Sequence, residues 1–87
     1  MHADPPRIDG AKVRALRVRA RLTVTDLARE AHVSRFFVHY VESGARQPSA
    51  PYALVLAHCL AEALDEPITV DDLAADDEDP HSAQVPA

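Results

Sequence analysis

An all-α domain of five helices is the fold class that this sequence predicts, on three observations. Apolar residues recur at intervals of three and four, and the segments that carry them open on Ser or Thr and close on Gly or Pro. A single cysteine, Cys59, in 87 residues leaves no disulfide framework within the chain, so helix packing has to hold it together. The length suffices for one small domain and is too short for two.

Residues 1–9, with Pro5 and Pro6, read as a flexible arm. In KVRALRVRA, residues 12–20, Val13 and Leu16 share a face with Arg14, Arg17 and Arg21 around it, which predicts the first helix. Thr23 caps the second, residues 24–31, with Asp26 at the capping-box position and Leu27 and Ala28 inward. His32 closes that helix, and Ser34 at once caps a third, residues 35–43, which Gly44 ends. Its buried stripe is Val33, Phe37, Val38 and Val41. After the loop ARQPSAP, Ser49 caps the fourth helix, residues 50–64, and Pro51 sits in its first turn, where the missing N–H costs nothing. Leu54, Leu56, Ala57, Leu60, Ala61 and Leu64 make it the most apolar element and the expected middle of the core. Pro67 stops the chain and Thr69 caps a last turn ending at Leu73. Residues 74–87 lack periodicity and read as a disordered acidic tail, which leaves a domain over residues 10–73.

The net charge of −5 hides a dipole. All nine basic residues lie between Arg7 and Arg46, giving residues 1–50 a net charge of +4, whereas residues 51–87 carry nine acids and no base. A basic half of this kind can follow phosphates while the acidic half faces away. No apolar run is long enough to span a bilayer and MHADPPRIDG has no signal-peptide core, so a soluble, cytoplasmic chain with no membrane partner is expected. With only Gly10 and Gly44 there is no glycine-rich phosphate loop, and no nucleophile stands near a base at recognisable spacing. His32, His39 and His58 lack Cys or acidic partners at ligand spacing, so no enzyme activity, cofactor, metal or small-molecule substrate is expected.

Two short helices joined by a tight turn, the second capped by Ser and exposing Arg35, Phe36, His39, Tyr40 and Ser43, make the helix-turn-helix pattern. Such a second helix fits a major groove about 12 Å wide. Arg35 can donate two hydrogen bonds to guanine O6 and N7, Phe36 can pack on a thymine methyl group, and His39 and Tyr40 can reach base edges or phosphates. The second helix offers its N-terminal N–H groups and the hydroxyls of Thr23 and Thr25 to the DNA backbone, with Arg19, Arg21 and Ser43 as further phosphate candidates.

The stretch LTVTDLAREAHVSRFFVHYVESGARQPS, residues 22–49, resembles the Cro/C1-type (xenobiotic-response-element-like, lambda-repressor-like) helix-turn-helix family, and with VRALRVRARLT and TVDDL the likeness extends from residue 13 to about residue 73. The resemblance implies a five-helix DNA-binding domain with Leu22, Leu27, Ala28, Val33, Val38 and Val41 buried. It further implies base reading by Arg35, Phe36 and Tyr40, phosphate contact by Arg46, and a structural ion pair between Arg17 and Glu42. Departures are Val24, where the family commonly has Gln, and Arg21 and His32, which replace typical glycines. AEALDEP looks like an added turn or two extending helix 4, and Leu60 and Leu64 on it can serve either a dimer surface or the core. The implied protein is a transcriptional regulator, most simply a repressor, that binds double-stranded DNA as a homodimer on an inverted repeat. The competing reading is a protein-interaction module that meets a regulatory protein partner through Phe36, His39 and Tyr40.

Overall fold

The computed structural model of the chain describes residues 7–76, and the expectations for residues 1–6 and 77–87 lie outside it. Five helices form: α1 (Gly10–Arg19), α2 (Val24–Ala31), α3 (Arg35–Ser43), α4 (Ala50–Leu64) and α5 (Val70–Leu73). Among the described residues there is no sheet, only one isolated bridge between Ile8 and Ala74.

Short side chains start the helices. Asp9 begins α1 two residues earlier than the apolar spacing indicates, its carboxylate accepting the Ala11 N–H at 2.9 Å. Thr23 and Asp26 form a reciprocal capping box on α2, at 3.0 and 2.9 Å. Hydrogen bonding to its carboxyl from the Thr23 backbone N–H, and then from the Thr23 side chain, holds Asp26 below its ordinary value. Ser34 caps α3 through the Phe37 N–H at 3.1 Å. Ser49 precedes α4 without a side-chain cap, and Pro51 in the first turn removes one donor that would need it. Left-handed residues end three segments besides Gly44: Arg21 at φ 62°, His32 at φ 58° and Asp65 at φ 55°.

The core is built from Val13, Leu27, Ala28, Ala31, Val38, Val41, Ala53, Leu56, Ala57, Cys59, Leu60 and Leu73, with Leu16, Leu22, Val24, Val33 and Phe37 partly buried around it. Fully burying a Leu or Val contributes roughly 1.5–3 kcal/mol. α4 does run through the middle, but Leu54 is not one of its core residues; it stands 61% exposed, because Ala53, Leu56, Ala57 and Leu60 form the inward stripe and Leu54 falls outside it. Leu60 is wholly buried and therefore has no part in an outer surface.

The arm and tail boundaries need correction. Ile8, expected in a flexible arm, is buried, and the Gln47 side-chain amide bonds both its N–H (2.8 Å) and its carbonyl (3.0 Å). Asp9 N–H donates to the Leu73 carbonyl and Ala75 N–H to the Arg7 carbonyl, both at 2.8 Å. An aliphatic side chain with paired backbone on either side packs like a strand, so residues 7–9 and 74–76 belong to the folded body. Lys12 Nζ adds bonds to the Ala74 carbonyl (2.7 Å) and the Asp76 carboxylate (2.8 Å).

Gly10 is the tightest point of the fold. A Cβ there would lie less than 3.0 Å from the carbonyl oxygens of both Val41 and Glu42, closer than real Cβ atoms approach. Both are backbone atoms, which cannot swing aside as a side chain would. Gly10→Ala is therefore expected to lower stability in urea unfolding by about 2 kcal/mol or more. Asp65→Gly, which relieves a left-handed aspartate far from α3, should raise it by about 0.5 kcal/mol after the added freedom of the unfolded chain is counted.

Candidate nucleic-acid interface

The turn between α2 and α3 is shaped by His32. Its left-handed backbone lets the Val33 N–H reach the Ala28 carbonyl at 3.0 Å, closing α2 while Ser34 opens α3. Beneath α3, Val38 and Val41 face the core, so Arg35, Phe36, His39, Tyr40 and Ser43 are left on the solvent side. Phe36 is 56% and Tyr40 44% exposed, both large for uncharged aromatics in so small a body. The Arg35 guanidinium carbon lies 5.0 Å from the Phe36 ring centroid, and the His39 and Tyr40 rings are 5.8 Å apart.

A recess flanks this face on each side. One, of about 210 Å³, is lined by Arg14, His39, Glu42 and Ser43. The other, of about 260 Å³, is lined by His32, Val33, Ser34, Phe37, Arg46 and Tyr52. In the second, Phe37 is sandwiched: Arg46 sits 5.4 Å from its ring centroid and the Tyr52 ring 5.4 Å away. Phe37 is thus half-buried, a spacer between the core and Arg46, and not a deep core residue. The Tyr40 carbonyl accepts from the backbone N–H groups of Ala45 (2.9 Å) and Arg46 (3.2 Å), which folds the α3–α4 loop back beside the helix.

Arg17 and Glu42 are brought together beneath the face. Arg17 Nε and Nη2 donate to the two Glu42 carboxylate oxygens at 2.6 and 3.1 Å, and Nη1 donates to the Leu22 carbonyl at 2.8 Å. The side chains are 12% and 7% exposed, so the pair is nearly dry and bidentate. It locks α1 to α3 and carries the entry to α2.

Other expected contact residues are spread differently. Arg19 is engaged by Glu66 in an ion pair at the α4–α5 link. The Ser43 hydroxyl donates to the Tyr40 carbonyl at 3.1 Å, so its proton serves the end of α3. Thr23 is committed to its capping box, and the Asp26 carboxylate brings a negative charge to the start of α2. Thr25 and Arg21 are exposed. Arg14 and Tyr52 join the site without having been expected there from the sequence. The 10–14–17 spacing, one helical stripe, is the signal that places Arg14 on the α3 side of α1. Tyr52 has no such signal, since its place depends on how α4 crosses the end of α3.

Among the described residues no group of three or more His, Cys, Asp or Glu is arranged to hold a metal, and no helix is long and apolar enough to cross a membrane. Burial pushes the Cys59 thiol up, with Glu30 and Glu62 adding to the effect, which disfavours the nucleophilic thiolate.

Residues 10–67 match the family described as a helix-turn-helix domain. The match covers most of the chain, and the chain belongs to that family. No curated protein matches the sequence.

Removing one member of the buried pair leaves the other charge without a partner in a dry site. Glu42→Ala should lower stability by about 3 kcal/mol, whereas the double replacement Arg17→Met, Glu42→Leu should cost less than that single change. Chemical denaturation of the three proteins measures the difference; equal losses for Glu42→Ala and the double variant would show that packing alone holds this contact.

Proposed function

We propose that the chain is a sequence-specific, double-stranded-DNA-binding regulator of the Cro/C1 type that inserts α3 into the major groove. The observation that carries this reading is the solvent face of α3, on which Arg35, Phe36, His39 and Tyr40 stand between two recesses that each hold an arginine, Arg14 on one side and Arg46 on the other. Base-reading groups in the middle and cations at both flanks match what a groove presents: base edges at its floor and phosphates along both rims. Arg46 and Arg14 bind phosphates, with the Tyr52 hydroxyl and His32 beside Arg46. Arg19 does not, because Glu66 already neutralises it. Occupying an operator and excluding other proteins from it is the simplest mode of action for such a domain.

A second surface supports a homodimer. A recess of about 590 Å³ between α2 and α4 is lined by Leu54, Val55, His58, Cys59, Glu30 and His32. Its apolar centre is rimmed by one acid and two imidazoles, so the patch is complementary to itself: a two-fold pairing lets Glu30 of one copy meet His32 or His58 of the other. Two copies would then meet half-sites about 34 Å apart or multiples of that spacing.

In vitro selection from random duplexes, run beside an Arg35→Ala, Tyr40→Ala variant, should recover an inverted repeat that the variant cannot enrich. On that site Arg14→Ala and Arg46→Ala should each flatten the salt dependence of log K by about 1, and Arg19→Ala should leave it unchanged. Unselective binding by the parent protein would instead favour the reading that exposed Phe36, His39 and Tyr40 meet a protein partner. Leu54→Glu should abolish the dimer in sedimentation equilibrium and weaken binding to the repeat while sparing an isolated half-site. A monomeric parent protein would remove the proposed dimer surface.

A further inference from the structure

The first turn of α3 carries more than two independent contacts. Arg35 and Phe36 are adjacent, both exposed, and stacked, with the guanidinium carbon 5.0 Å from the ring centroid. Arg35 has no carboxylate partner among the described residues, in contrast to Arg17, Arg19 and Arg29. Its fork of N–H donors is held by an aromatic surface and remains unspent. Stacking restricts the rotamers of a long side chain before any ligand arrives, so less freedom is lost on binding.

We infer that Arg35 and Phe36 act as one reader, specific for a guanine preceded on its 5′ side by a pyrimidine that carries a C5 methyl group. This rests on the DNA-binding reading above and names the step that its first turn selects. Guanine is the base whose major-groove edge offers two acceptors, O6 and N7, to a guanidinium fork. Phe36 has no hydrogen bond to give, and the apolar group of the major groove is the C5 methyl. Successive bases rise about 3.4 Å along a strand, and two side chains that are neighbours in the chain and in contact with each other address neighbouring bases. The order follows from the right-handed duplex, in which a pyrimidine C5 substituent projects over the groove edge of the base on its 3′ side. There it meets the guanidinium plane and the ring stacked on it.

Thymine and 5-methylcytosine both supply that methyl group, and the same duplex series separates them. The operator recovered by selection is expected to contain a TG step in each half-site. Replacing that thymine by deoxyuridine deletes one methyl group and should weaken binding about fourfold, the equivalent of about 0.8 kcal/mol. Cytosine at the position should bind more weakly than thymine, with 5-methylcytosine recovering part of the loss; no recovery would restrict the reader to thymine, and full parity would make it sensitive to cytosine methylation. Phe36→Ala should bind the thymine and deoxyuridine duplexes alike, and Phe36→Leu should restore the difference in part. Replacing the guanine by 7-deazaguanine should cost the parent protein tenfold or more and Arg35→Ala nothing further. Because both residues are exposed, unchanged circular dichroism of the variants is expected and makes their binding constants comparable.

A selected operator without this step, or a parent protein indifferent to deoxyuridine, overturns the inference and leaves the regulator reading intact. A protein that selects no DNA at all overturns both.

Discussion

At the contact between α1 and α3, one end admits no Cβ and the other admits almost no water. Gly10 lets the start of α1 press against the Val41 and Glu42 carbonyls. Two turns further on, Arg17 grips both oxygens of the Glu42 side chain and the Leu22 carbonyl. Close approach and charge pairing here are one constraint: only when the helices nearly touch can a guanidinium reach across with two short bonds. The desolvation of both charges means that this pair adds little net stability, yet it is directional in a way that aliphatic packing is not. It sets the rotation of α3 about its own axis, and that rotation decides which side chains face solvent.

The rest of the molecule can be understood from that rotation. With Val38 and Val41 held inward, Phe36, His39 and Tyr40 fall on the opposite side of the helix, and Arg35 stands exposed in the first turn beside them. Arg14, on the same stripe of α1 as Gly10 and Arg17, is carried to one flank of α3. α4 closes the opposite flank, where Tyr52 and Phe37 support Arg46. Elsewhere, Glu66 holds Arg19 and Asp76 holds Lys12. Each of these exposed pairs contributes little to stability, but together they remove two cations from the free charge and leave Arg14, Arg35 and Arg46 as the cations around α3.

Much of this is legible in local sequence signals. Thr23, Asp26, Ser34 and Gly44 act through bonds to residues within a few positions, so their roles are readable from spacing alone. Left-handed backbone at His32 is equally local, a consequence of ending one helix and capping the next two residues later. Ile8 escapes such a reading because its partners, Gln47 and Ala74, are far away in sequence and nothing near a Pro-rich start announces them. Leu54 escapes it for a different reason. α4 is apolar nearly all round, so periodicity cannot say which of its leucines faces in, and the neighbours that it packs against make that choice.

By itself, then, the sequence determined the five helices, their caps and the segregation of charge, because helix formation and capping are short-range and charge is additive along a chain. It also marked the α3 residues that face away from the apolar stripe. Only the tertiary structure decided which cations surround that face, that Arg19 is taken by Glu66, that Tyr52 supports the Phe37–Arg46 stack, and that Leu54 and Val55 form an outer patch. Those outcomes depend on distances between segments remote in sequence, and such distances are set by close packing of the whole core, not by any one segment's own preference.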